Sequence, residues 1–266
     1  MKKLYIQKVV WYHAVLLATI LFVCNWSSNV HAQNILPALD EIKMKLSEQY
    51  MLVKDYSVKV NVAVNTPRLR MPGKRIKLYF KQPNQTKLEA KGFAIFPKNG
   101  LMENPVELLD NLSELSPIGK GIENDREHWI LTGFIKQDSS HFTPWGDSDA
   151  GRLSLQIWID QEHWTITQTK TFLDSTQVML IRSEYLEVGS GIYLPEKTLI
   201  RFELDKSVLE RIENFSEMGF STSQSSNKYS HRKIIPTEGT ITLEFFDYIL
   251  NKGLPDELFI EDKKSD

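Results

Sequence analysis

The sequence predicts a mainly β fold with covering α-helices: a single curved antiparallel sheet forming an incomplete barrel under a helical lid. Three observations predict it. Residues 56–97 hold three successive runs in which apolar side chains take every second position, the pattern of strands with one wet and one dry face. Strand patterns resume near residue 129 and stay dense to about 204, with gaps short enough for neighbours to pair as hairpins. Against these stand just two amphipathic helical stretches, too few to fill a closed cylinder but suited to covering an open one.

The first helix spans 37–53. Leu39, Ile42, Leu46, Tyr50 and Val53 recur every three or four residues and draw one apolar stripe, with Pro37 at the first turn and Asp40 and Glu41 at the positive end of the dipole. In the first strand Val58, Val60, Val62 and Val64 alternate with Ser57, Lys59, Asn61 and Ala63. After a turn carrying Pro67, Pro72 and Gly73, Ile76, Leu78 and Phe80 alternate with Lys77, Tyr79 and Lys81. Beyond Gln82-Pro83-Asn84-Gln85 a third run places Leu88, Ala90, Gly92, Ala94 and Phe96 on one face. Strands of about ten residues rise roughly 33 Å, so the sheet is tall.

Asn104-Pro105 caps a second helix whose stripe is Leu108, Leu109, Leu112 and Leu115, ended by Pro117 and Gly119. Four strand patterns follow, at 129–136, 153–159, 163–172 and 178–187; Leu153, Leu155, Ile157 and Ile159 mark the clearest. Gly189-Ser190-Gly191 is a turn and 198–204 another strand. The pattern breaks between 205 and 237, where 221–230 is serine-rich; this is an excursion from the sheet, centred on about 216–235. A last strand at 241–248 ends at Asn251-Lys252-Gly253-Leu254-Pro255. No composition shift marks a linker, so residues 33–266 are expected to form one domain.

The first 32 residues have the form of a secretory signal peptide. Lys2, Lys3 and Lys8 precede an apolar stretch at 14–23, and Val30-His31-Ala32 fits a cleavage site. Removing the leader takes 32 basic side chains to 29 against 34 acidic, a net charge of −5. A mildly acidic chain without a basic stripe does not fit nucleic-acid binding. The single cysteine, Cys24, would be a lipid anchor only in a lipobox, and Phe22 and Val23 are the wrong residues before it. An exported chain without disulfides fits a bacterial periplasm.

Catalytic and metal signatures are weak. Outside the leader, His128, His141, His163 and His231 show no ligand spacing and no paired cysteine. Ser139-Ser140-His141 lacks a nucleophile elbow, and Asp147-Ser148-Asp149-Ala150-Gly151 lacks the glutamate that completes a calcium loop. No cofactor, metal or catalytic residue is expected, and the chain reads as a non-enzyme.

The dry face of such a sheet must be covered. Small residues at Ala90, Gly92 and Ala94 leave space there, for the helix stripe or for an apolar ligand.

Several phrases, in order, are familiar: Leu69-Arg70-Met71-Pro72-Gly73-Lys74, Tyr79-Phe80-Lys81-Gln82-Pro83, Lys91-Gly92-Phe93-Ala94, Gln156-Ile157-Trp158-Ile159-Asp160 with Trp164, and the closing run from Asn251 to Phe259. Over roughly 35–259 the chain resembles the LolA-like outer-membrane lipoprotein-sorting proteins. The resemblance implies a LolA/LolB-like half-barrel and a monomeric periplasmic carrier of lipoprotein acyl chains or lipid, loaded by an inner-membrane transporter and unloaded at an outer-membrane acceptor. Val58, Val60, Val62, Ile76, Leu78, Phe80, Leu88, Ala90, Gly92, Leu155 and Ile157 are then the expected lipid-binding wall, with Leu39, Ile42, Leu46, Leu108 and Leu112 on the lid. An envelope-stress sensor or adaptor on the same fold is the second reading, and a periplasmic hydrolase the third. The lid-holding arginine of the classical carrier maps to none of Arg152, Arg182 or Arg201 in particular.

Overall fold

A computed structural model describes residues 36–67, 69–70, 73–90, 104–136, 152–204 and 237–260. From Pro37 onward the described residues belong to one compact unit. Helix α1 (Leu39–Met51) leads into β1 (Asp55–Thr66), the two-residue β2 (Leu69–Arg70), β3 (Lys74–Lys81) and β4 (Gln85–Ala90). Helix α2 (Pro105–Asp110) is followed by β5 (Leu112–Glu123), β6 (Arg126–Ile135), β7 (Leu153–Asp160), β8 (Ile166–Leu173), β9 (Thr176–Gly189), β10 (Ile192–Glu203) and β11 (Glu238–Leu250). A short 3-10 turn, Asp256–Phe259, completes the described chain.

The eleven strands form one antiparallel sheet. Ten lie in the order β4-β3-β1-β11-β10-β9-β8-β7-β6-β5, and β2 pairs with β1. The first and last long strands are neighbours, while β4 and β5 lie at opposite ends, so the barrel is not closed. Cross-strand partners share a face. The row Val64–Ile241–Ile200–Ile181–Thr169–Ile157–Leu131–Pro117 can therefore be followed across eight strands on a single side. That side is the apolar one, and both helices pack on it through Ile42, Leu46 and Leu109.

The sheet, its antiparallel pairing and its helical cover are as the sequence predicts. Three local readings change. Helix α2 stops at Asp110, where Asn104 caps its first turn by accepting the Val106 N–H (2.9 Å). Leu112 therefore opens β5 and is not on a helix. Pro117 and Gly119 do not end a helix either; they flank a register shift inside β5, where a residue without an N–H and one without a side chain suit a bulge. Finally, Leu69–Arg70 is a short strand inside what reads as a turn.

Candidate functional site

The expected wall residues of β1 and β3 stand together. Val58, Val60 and Val62 alternate out of β1 and oppose Leu78, Ile76 and Lys74 of β3; Phe80 opposes Tyr56. All six apolar members of the expected set on these strands are buried, in one cluster with Ile241, Leu243 and Phe245 of β11 and Ile200 and Phe202 of β10. Leu155 and Ile157 lie on the same face but in a second cluster, with Leu131 and Ile159 of the sheet and Ile42, Leu46 and Leu109 of the helices. The expected wall is thus two separate apolar regions.

Leu88 departs from expectation. It faces Leu78 in register, yet is 39 % exposed where Leu78 is 1 %. Strand β4 is the last of its end of the sheet and has no outer neighbour among the described residues to shield it. Ala90 opposes Ile76 in register, and Gly92 lies outside the described residues. Of the lid set, Ile42 and Leu46 are buried, and Leu39 and Leu108 pack at the border of the helix cluster. Leu112 is buried in that cluster too, but from β5, opposite Ile135.

The C-terminal end of α1 is tied down several times. The Tyr50 hydroxyl donates to the Pro83 carbonyl, and Gln82 Nε2 donates to the Tyr50 carbonyl (3.0 Å). Asn251 adds a clamp: its amide oxygen accepts from the backbone N–H groups of Lys54 and Asp55 (2.8 and 3.3 Å), and its Nδ2 donates to the Leu52 carbonyl (2.9 Å). In return the Asp55 carboxylate accepts from Lys252 and Gly253 (3.0 and 2.9 Å). Asn251 adopts φ 51° and Gly253 φ 78°, so the run that reads as a plain strand end is a lock between α1–β1 and β11. An asparagine two residues before a glycine was the available signal.

The rest of α1 is held differently. Ala38 supplies no side-chain cap, and Lys43 reaches Asp110 of α2 (2.5 Å). Arg152 pairs with Glu114 and lies over the Phe134 ring; Arg182 pairs with Glu123 (2.9 Å) and Gln168. Arg201 is an exposed residue of β10. A lysine, not one of these arginines, makes the described charged contact between α1 and α2.

Tyrosines gather near the locked end. Tyr56 stacks on Phe80 (centroids 5.2 Å) and meets the edge of Tyr248 (5.7 Å). Tyr248 donates to the Pro195 carbonyl (2.7 Å) and Tyr185 to the Ile166 carbonyl (2.8 Å). The Tyr56 hydroxyl is buried with no hydrogen-bond partner among the described residues. Burial drives its pKa well above the ordinary phenol value, with the neighbouring Tyr248 and Tyr50 adding to the shift. Burial, and then the Glu107 carboxylate, push Tyr50 up to about 12. These phenols stay neutral at any physiological pH.

His128, His163 and Asp160 are held in local hydrogen bonds. His128 is buried on β6 and its Nδ1 meets the Arg126 carbonyl (3.0 Å). Asp160 organises the β7–β8 turn: its Oδ1 accepts the N–H groups of Glu162 and His163 (2.8 and 2.9 Å), and its Oδ2 meets Arg126 (3.2 Å) and His163 Nδ1 (3.3 Å). Burial alone would raise the Asp160 pKa, but those backbone and side-chain hydrogen bonds together hold it below the ordinary 3.8. No group of three metal-ligating side chains occurs among the described residues, and no helix there is long and apolar enough to cross a membrane. His141, His231, Ser139, Ser140 and the Asp147–Gly151 run lie outside the described residues.

Solved structures supply the comparison. A LolA superfamily protein from Nitrosomonas europaea matches 85 % of this chain and 99 % of its own, at TM-score 0.47 and 13 % identity. An outer-membrane lipoprotein-sorting protein domain from Vibrio parahaemolyticus matches 82 % and 94 %, at 0.49 and 8 %. A DUF1329 family protein from Desulfovibrio piger matches 83 % and 95 %, at 0.50 and 9 %. The likeness is one of fold. No protein-family model and no curated protein matches the chain. The unclosed sheet with its two described helices is the architecture that the resemblance read from short sequence phrases implies.

Proposed function

We propose that the chain is an exported carrier that shelters acyl chains of lipoproteins, or lipids, against the helix-covered face of its half-barrel and moves them through the periplasm toward the outer membrane. Residues 1–32 act as the cleaved leader and residues 33–266 as one monomeric carrier domain. A donor in the inner membrane and an acceptor at the outer membrane would complete the route, and no bond is made or broken.

One observation carries the reading. A single face of an open sheet can be followed across eight strands and is apolar on all but β8, where Thr169 stands, yet α1 and α2 share an apolar cluster with β5, β6, β7 and the first residue of β8. Apart from Tyr50, the larger cluster on β1, β3, β10 and β11 receives no helix side chain among the described residues. A hinged α1 could therefore uncover a wall that is already apolar. Each buried methylene is worth about 0.8 kcal/mol, so an acyl chain cannot cross water exposed. Exchange between a bilayer and an apolar wall is nearly neutral, which permits release at the far side.

The test is uptake of a fluorescent fatty-acyl probe, with native mass spectrometry of the protein purified from its host. Uptake and co-purified acylated species are expected. Leu78→Glu places an unpaired carboxylate in the wall and should abolish uptake. Lys77→Glu, pointing to the other side, should leave it intact. Equal uptake by both variants would overturn the proposal.

A further inference from the structure

The side of the sheet that faces away from the helices is not uniform in charge. The chain beyond the leader is net acidic, yet the outward positions of β3 and β4 hold Arg75, Lys77, Lys81 and Lys87 against one acid, Glu89. Arg75, Lys77, Lys81 and Lys87 occupy odd positions in register with one another, opposite the side chains of Ile76, Leu78 and Phe80 that enter the core. The alternation that makes β3 dry on one side makes it cationic on the other.

These charges are only partly neutralised locally, since Glu89 lies in register with Lys77 and Asp256 pairs with Lys81. Among the described residues Arg75, Lys77 and Lys87 form no ion pair, whereas Lys81 is matched by Asp256 and Lys59 by Asp247. Lys77 sits directly across β1–β3 from Lys59, a like-charge pair that costs stability in a sheet. Arg75 donates to Asn61 Oδ1 (3.2 Å) and rests on the Phe246 ring (5.2 Å), and Lys77 lies over Tyr79 (4.7 Å). Aromatic and amide supports hold the cations outward without cancelling them. Arg75, opposite Asn61, and Lys87, opposite Tyr79, face no acid across these ladders, which leaves their charge available to a partner.

We propose that the outward face of β3 and β4 is a docking surface for a bilayer containing anionic phospholipid, with Arg75, Lys77 and Lys87 as its electrostatic contacts. A protein partner would want an apolar anchor at the centre of the contact. On β3 and β4 Leu88 is the one exposed large apolar side chain, and it lies at the edge. A headgroup plane needs charge alone; Leu88, in register with Leu78, belongs to the other face of β4 and takes no part in the contact. The nearby cleft of about 410 Å³ is lined by Glu244 as well as Lys74 and Arg75, so it is not a dedicated anion pocket; the contact is a surface, not a hole. This inference does not depend on acyl chains entering the interior.

The experiment is co-sedimentation of the mature protein with vesicles of phosphatidylcholine alone or mixed with phosphatidylglycerol. Binding is expected for the mixed vesicles, with loss at about 1 M salt, where the screening length is about 3 Å. Each cation near such a surface strengthens adsorption by roughly fivefold, so Lys77→Gln with Lys87→Gln should weaken it about 25-fold. Lys252→Gln with Lys197→Gln, exposed and outside these strands, should change it far less. Leu78→Glu should adsorb normally, which separates docking from uptake. Equal binding to both vesicle types, equal loss in the two double variants, or binding to an acidic polypeptide that competes off the vesicles would each overturn the proposal.

Discussion

The two halves of the helix-covered face are built from the same alternation and finished differently. On β6 and β7, Leu131, Ile157 and Ile159 meet the protein's own helices through Ile42, Leu46 and Leu109. On β1, β3, β10 and β11, Val60, Ile76, Ile241 and Leu243 are as fully buried, but apart from Tyr50, Val53 and Leu204 the described members of their cluster are sheet residues. Period-two spacing decides which side chains leave water; it does not decide what they meet there. In one half the cover is a helix that could leave, and in the other it is the wall itself.

Paired truncations sharpen that difference most. Ile42→Ala and Ile241→Ala should each cost about 2–5 kcal/mol in urea unfolding, the usual loss for a fully buried isoleucine. Their effects on acyl-probe affinity should diverge. If loading displaces α1, Ile42→Ala weakens the closed form more than the loaded one, and the probe binds more tightly. Ile241→Ala removes wall that both forms share, so its affinity should not rise. A matching rise in both variants would erase the distinction between the halves.

The next contrast is between the ends of α1. Asn251→Gly keeps the left-handed backbone but deletes three side-chain hydrogen bonds at the locked end. A loss of about 1–3 kcal/mol is expected, read as a lower urea midpoint. A variant as stable as the parent would show that backbone conformation alone makes the lock.

Asp160 tests the helix half from its turn. Its folded-state pKa lies below 3.8, so its carboxylate stabilises the fold at neutral pH. That stabilisation should fade as pH falls from about 3.8 through the lower folded value. Asp160→Asn should cost about 1–3 kcal/mol at pH 7, and the gap to the parent should narrow in acid. A gap independent of pH would mean that the turn is organised by shape and not by charge.

Most of the sheet is legible in the sequence because its strands are long and alternate strictly, as Val58, Val60 and Val62 do. Strand β5 is not, because Leu108, Leu109, Leu112 and Leu115 carry a helical spacing that continues past the real end of α2. Two bulges then hide the strand's own period. The candidate site was legible as a face but not as two clusters: cross-strand neighbours such as Leu243 and Phe245 come from a strand nearly two hundred residues from β1. The Asn251 lock is equally non-local, since nothing near Asn251 says that Lys54 and Leu52 will arrive beside it.

The smallest expected effect concerns Lys43 and Asp110. Both side chains are partly exposed, so the pair contributes at most about 1 kcal/mol to global stability, and Lys43→Ala should barely move the urea midpoint. Its position matters more than its strength. The C-terminal end of α1 is fixed by the Tyr50, Gln82 and Asn251 hydrogen bonds, whereas its uncapped N-terminal half is held by Ile42 and Leu46 and by this pair. If α1 opens from that half, Lys43→Ala should speed amide exchange over residues 42–46 while leaving 49–53 protected, and should raise the rate of probe loading with little change in affinity. Faster exchange along the whole helix would mean that α1 lifts as a body, and the contrast between its ends would lose its mechanical meaning.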